Sequence, residues 1–322
     1  MFRYLIFLFT FLSLSLSLRA EILTTQHSNA VCNNGEQATY SYFKNYSEQW
    51  FIYFWGGGVA PNEKSYLDRQ DKWKVPTKSS EEVKDHIVKD FVDNKYNVIV
   101  IHYCTSDLYQ GMHINKINNE NIYYHGRYIV EDIFNKFDKR FNSANKLVFA
   151  GHSAGALALG FNVDLISKYK DPYIIPDSFY LDEESLKVRL TLKGGFWDGV
   201  ENFVYNNRLD YCKDSHWANC MPSRSLFDRY NLNNIFFIWN IGDPYIKGDI
   251  VNVKKSIISD VNYYKAGFSV NAEKMNLKAF EEWGHVMTAN DLYYKKFDGI
   301  SLQELIWNWI NNSGQSKYIN HN

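Results

Sequence analysis

Proline is scarce in this chain, with 6 in 322 residues, and no low-complexity run is present. Long disorder is therefore not expected outside the two ends. Dense blocks of lysine and arginine are missing and the formal net charge is −1. A nucleic-acid surface needs a clustered positive field, so no nucleic-acid partner is expected. The four cysteines contain no Cys-x-x-Cys spacing, which argues against zinc, and no metal or organic cofactor is expected. Beyond the first twenty residues no apolar run approaches the ~20 residues that a membrane-spanning helix requires.

What is abundant is apolar and aromatic. Hydrophobic residues make up 45% of the chain, with 24 Tyr, 22 Phe and 9 Trp, enough to bury a large core. The first residues, MFRYLIFLFTFLSLSLSLRA, carry Arg3, a short apolar stretch and a small residue at position 20. That pattern predicts a secretory signal peptide over residues 1–20, with an uncleaved anchor as the alternative. It implies a secreted protein with no stable membrane insertion after cleavage. In that compartment an even cysteine count reads as disulfides. Three pairings of Cys32, Cys104, Cys212 and Cys220 are open; one closes the short Cys212–Cys220 loop and leaves Cys32 with Cys104. Sequons at Asn45 and Asn311 are permissive for glycosylation there.

Short runs rich in β-branched and aromatic residues predict buried strands at 50–55, 97–103, 146–150, 188–194 and 234–240, and a weaker one at 275–280. Helical periodicity lies between them, over 81–94, 128–141 and 301–310. Strands alternating with helices predict an α/β fold with a mostly parallel central sheet and helices on both faces. With no linker and no repeat, residues 21–322 read as one domain. Sites in such sheets lie at the carboxyl ends of strands.

The run KLVFAGHSAGALALG, residues 146–160, places Gly151-His152-Ser153-Ala154-Gly155 between a predicted strand and a small-residue helix. G-x-S-x-G alone is weak, but a strand, a sharp turn carrying serine and a helix form a nucleophile elbow. The bland alternative is an ordinary strand-to-helix turn. A second element, Gly56-Gly57-Gly58, follows the strand at 50–55. Backbone N–H groups in such a loop can hold a developing oxyanion, with the residue after the serine, Ala154, as a further donor. The acid and base then follow in chain order. His285 lies late, before the last amphipathic helix. Asp243 follows the strand at 234–240, with Asp249 as its nearest rival. His152, beside the serine, points elsewhere on so tight a turn and reads as structural.

Together these residues resemble the pectin acetylesterase/Notum family of secreted α/β-hydrolases. The likeness rests on Cys32-Asn33-Asn34-Gly35, WFIYFWGGG, the segment His102-Tyr103-Cys104-Thr105-Ser106-Asp107-Leu108-Tyr109-Gln110-Gly111, GHSAG and Trp217-Ala218-Asn219-Cys220. The resemblance implies Ser153 as nucleophile, Asp243 as acid and His285 as base. It places Gly57, Gly58 and Ala154 at the oxyanion hole and favours a Cys32–Cys104 disulfide. It also implies an acyl-ester substrate, either an acetylated glycan such as pectin or an acylated protein. Val59-Ala60 replace the Trp and Cys common after the glycines, and His152 replaces a small residue. A non-catalytic binding protein on the same fold is the competing class.

Overall fold

A computed structural model describes residues 20–73, 85–178, 224–240, 267–270, 285–312 and 319–321. Its strands are β1 (Glu21–Thr24), β2 (Thr39–Phe43), β3 (Gln49–Phe54), β4 (Asn97–Ile101), β5 (His113–Ile117), β6 (Glu120–Tyr124) and β7 (Lys146–His152). They continue with β8 (Tyr173–Asp177), β9 (Phe237–Asn240), β10 (Gly267–Val270), β11 (Lys296–Phe297), β12 (Ile300–Ser301) and β13 (Ile319–His321). The helices are α1 (Glu63–Arg69), α2 (His86–Asp93), α3 (Gly126–Asn142), α4 (Ala154–Phe161), α5 (Val163–Ile166), α6 (Arg224–Arg229) and α7 (Leu302–Asn311).

Among the described residues, nine strands build one sheet in the order β1-β2-β4-β3-β7-β8-β9-β10-β13. Within this sheet, among the described residues, only β1–β2 and β2–β4 pair antiparallel and the other pairs are parallel. The small hairpins β5–β6 and β11–β12 stand apart from it. The sheet is the mostly parallel one that the alternation of patterns predicts.

Parallel strands buried on both faces read as continuous apolar runs. In β3, Trp50, Ile52 and Phe54 face one core while Phe51 and Tyr53 face the other. The first core is filled from α3 by Ile129, Ile133, Phe134, Phe137 and Phe141. The second is filled by Ile87 and Phe91 of α2 and by Leu305, Ile306 and Trp309 of α7. A fully buried side chain of this size contributes about 1.5–3 kcal/mol.

The small-residue helix expected after Ser153 is interrupted at Asn162. Its buried side chain donates to Ala158 O at 2.9 Å and to Tyr109 O at 3.2 Å, diverting the chain between α4 and α5. Strands β1, β2, β8, β10 and β13 of the sheet lie outside the segments expected to be strands. The strands expected at 188–194 and 275–280 lie outside the described residues. Cys32 and Cys104 are joined by a disulfide. Cys212 and Cys220 lie outside the described residues.

Candidate active site

The register of the sheet brings two loops together. Phe54, the last residue of β3, is opposite Gly151 of β7, so the glycine loop and the serine turn leave the sheet side by side. Ser153 has φ +52 and ψ −119, a left-handed backbone that a non-glycine residue adopts only under constraint. The turn closes tightly. A Cβ on Gly151 would lie 2.4 Å from Gly155 O, and one on Gly155 would lie 2.0 Å from Phe54 O. No side chain fits at either position, so the two glycines of the motif are steric requirements of this turn. The Ser153 carbonyl caps α4, accepting from Ala156 N at 3.0 Å and Leu157 N at 3.2 Å. The Ala154 N–H opens that helix and is one of the donors a helix cannot pair internally.

The Ser153 hydroxyl lies 2.8 Å from His285 Nε2. These residues are 132 positions apart in the chain, and the distance is that of a good hydrogen bond. Asp243 and Asp249 lie outside the described residues. Asp177, at the carboxyl end of β8, is a buried carboxylate that sequence reasoning missed. Its oxygens accept from the Ser178 hydroxyl at 2.5 Å, from Met287 N at 2.9 Å, from Thr288 N at 2.7 Å and from Thr288 Oγ1 at 2.6 Å. Asp177 thus fixes the segment that follows His285. Burial raises its pKa, and the bonds from Ser178 and Thr288 act against that shift.

His152 is bonded at both ring nitrogens. Gly56 N–H donates to Nε2 at 3.1 Å, and Nδ1 lies 2.8 Å from Tyr53 Oη. Burial pushes its pKa down to about 4, while the Asp177 charge acts the other way. The ring is neutral at physiological pH. Its position agrees with the structural role expected of it.

The glycine loop is held from several sides. Arg69 donates from Nη2 to Gly57 O at 3.0 Å, and Gly58 has φ +76, which glycine adopts freely. A Cβ on Gly57 would meet the Tyr103 ring at 2.4 Å. Behind it, Tyr109 Oη is 3.0 Å from both Trp55 O and Ile101 O. Asp107 braces that segment, accepting from Tyr109 N at 3.0 Å, Gly111 N at 3.1 Å and Gly126 N at 2.7 Å. Burial raises the Asp107 pKa to about 6 against these bonds. Val59 and Ala60 are buried in the core, and Ala60 N donates to Ser106 O at 3.2 Å.

Of the two sequons, Asn45 uses its side-chain nitrogen on Tyr96 O at 2.7 Å and Val92 O at 3.3 Å. A glycan there would leave one N–H for these two acceptors. Asn311 is exposed at the end of α7.

The mostly parallel sheet, nine-stranded among the described residues, with helices on both faces and a sharp serine turn at a strand's carboxyl end, is the α/β-hydrolase fold. The chain belongs to the pectinacetylesterase family, whose profile matches residues 13–290. It is similar to the palmitoleoyl-protein carboxylesterase NOTUM of Schmidtea mediterranea, at 28% identity over 158 residues, covering 44% of this chain and 29% of that protein. It is also similar to the palmitoleoyl-protein carboxylesterase notum1a of Danio rerio, at 24% identity over 209 residues, covering 62% of this chain and 39% of that protein. The chain thus spans well under half the length of these curated relatives. Two crystal forms of the Wnt deacylase Notum from Drosophila superpose with TM-scores of 0.67 and 0.68, at 14% and 15% identity, covering 94% of this chain and 96% of theirs. At that identity the likeness speaks to the fold. None of the described helices is long and apolar enough to cross a membrane.

Proposed function

We propose that the protein is a secreted serine carboxylesterase that hydrolyses O-acyl esters through Ser153, His285 and Asp243. The observation that carries the proposal is the 2.8 Å contact between Ser153 Oγ, on a strained turn, and His285 Nε2. His285 takes the hydroxyl proton as Ser153 attacks the ester carbonyl. Asp243 holds the ring through its other nitrogen. The N–H groups of Gly57, Gly58 and Ala154 receive the oxyanion. The alcohol leaves with the proton from His285, and water then releases the acyl-enzyme.

The preferred substrate is an acetyl ester on a polysaccharide such as pectin, in keeping with the family. The curated relatives, named as palmitoleoyl-protein carboxylesterases, support a second reading: removal of a fatty acyl group from a protein. Hydrolysis of p-nitrophenyl acetate, butyrate and octanoate separates them. A fall in kcat/KM with chain length supports the acetyl ester, and a rise supports the long chain. Ser153→Ala is expected to lose ~10⁴-fold or more in kcat, and Asp243→Asn about 10⁴-fold. Wild-type rates equal to those of Ser153→Ala would overturn the esterase proposal and leave a binding protein on a hydrolase fold.

A further inference from the structure

Three peptide planes make up the loop Gly56-Gly57-Gly58, and two of their groups are already committed. The Gly56 N–H is spent on His152 Nε2 at 3.1 Å. The Gly57 carbonyl is spent on Arg69 Nη2 at 3.0 Å. In a trans peptide the carbonyl and the following N–H point in opposite directions. Fixing Gly57 O toward Arg69 therefore turns the Gly58 N–H to the opposite side. Fixing Gly56 N–H on His152 removes it as an oxyanion donor and leaves Gly57 and Gly58 to do that work.

We propose that His152 and Arg69 are a pair of positioning residues that clamp the glycine loop and set the direction of its oxyanion donors. The proposal rests on the esterase mechanism and adds to it two side chains that need not touch the substrate. The clamp requires one tautomer. Nε2 accepts from Gly56, so the ring proton sits on Nδ1 and is donated to Tyr53 Oη at 2.8 Å. The chain continues from Tyr53 to Thr288 Oγ1 at 3.4 Å and from Thr288 to Asp177 at 2.6 Å. Every donor in it points from the glycine loop toward Asp177. That carboxylate also holds the N–H groups of Met287 and Thr288, just after His285. One network therefore supports both the oxyanion loop and the segment carrying the base. On the other side, Arg69 is steadied over the Trp73 ring at 5.0 Å. A guanidinium donor on Gly57 O also polarises that peptide and strengthens its N–H as a donor.

The closing experiment uses the full chain with p-nitrophenyl acetate and counts active sites by titration with an organophosphate. His152→Leu removes the acceptor, and His152→Gln restores one at the same reach. Arg69→Met removes the donor, and Arg69→Lys keeps one. Removing a single oxyanion donor costs ~10²–10³-fold, and a misdirected loop costs less. Per active site, His152→Leu and Arg69→Met are expected to lose about 10- to 100-fold in kcat with KM changed less than about threefold. The affinity for a tetrahedral boronic acid falls in step, and His152→Gln and Arg69→Lys recover most of the loss. Heteronuclear NMR of the histidine rings is expected to place the His152 proton on Nδ1, a readout independent of activity. The clamp fails if the titrated variants match wild type in kcat while only their number of competent sites falls. It also fails if His152 carries its proton on Nε2. If wild type is no faster than Ser153→Ala, the esterase mechanism fails instead.

Discussion

Gly155 is the residue on which the elbow depends most directly. A Cβ there would lie 2.0 Å from Phe54 O, 2.7 Å from Phe54 C and 3.0 Å from Trp55 O, all backbone atoms of the neighbouring strand and its exit. Backbone cannot yield as a flexible side chain can. Gly155→Ala is expected to destabilise the protein by ~3 kcal/mol and to push the glycine loop away from Ser153. Urea unfolding measures the first effect and kcat the second. A variant within ~0.5 kcal/mol of wild type and fully active would show that the turn has slack. At this scale the sequence was most legible where residue type is dictated sterically. Gly151 and Gly155 announce the turn around Ser153 because no side chain fits at either position, and His285 follows Ser153 in chain order. Arg69 and Asp177 gave no such signal. Each acts on a backbone group of a distant segment, and no local pattern encodes that.

At the scale of elements, α2 and α7 lie on the same face of the sheet and are tied by one carboxylate. Asp90 of α2, 6% exposed, accepts from Tyr293 Oη at 3.0 Å, from Gln303 Nε2 at 2.6 Å and from the Trp307 indole. Truncation strands three donors at once. Asp90→Ala is expected to cost ~3 kcal/mol, and Asp90→Asn, which retains an acceptor oxygen, clearly less. Equal denaturation midpoints for the two variants would show that the tie contributes little. The amphipathic stripes of α3 and α7 place both helices to within two residues, because their apolar spacing is what docks them. The strand β8 escaped notice for the opposite reason. Its sequence Tyr173-Ile-Ile-Pro-Asp177 is short and contains a proline, which ordinarily argues against a central strand. Here Pro176 sits one residue from the strand's end, opposite Gly151. The break between α4 and α5 was equally hidden, since it depends on Asn162 reaching Tyr109 across 53 positions.

Over the whole molecule, buried titratable groups oppose one another with pH. His102 is 2% exposed, its ring nitrogens 2.8 and 2.9 Å from the hydroxyls of Thr39 and Ser41, and its face stacks on Trp55. Burial pushes its pKa down to about 4, as it does for His152. In the unfolded chain a histidine takes up its proton near pH 6.5. Each of these two histidines therefore adds stability that is complete above pH 6.5 and is lost as pH falls toward 4. Asp85 and Asp107 behave oppositely. Burial raises both to about 6 from 3.8, so each adds stability that is complete below pH 3.8 and is lost as pH rises to 6. Near pH 5 the unfolded chain holds nearly two more protons on the histidines, and the folded chain nearly two more on the aspartates. These four groups consequently give almost no net slope there. Removing one of them exposes the balance. His102→Gln is expected to be less stable than wild type at pH 7, having lost a buried, fully bonded ring. On acidification it escapes a loss that wild type suffers, so the gap between them should close by on the order of 2–3 kcal/mol between pH 7 and pH 4.5. Urea midpoints of the two proteins at both pH values measure that gap. If it is the same at both, His102 takes up its proton equally in the folded and unfolded chains, and the neutral, doubly bonded ring is not what holds β2 against β4.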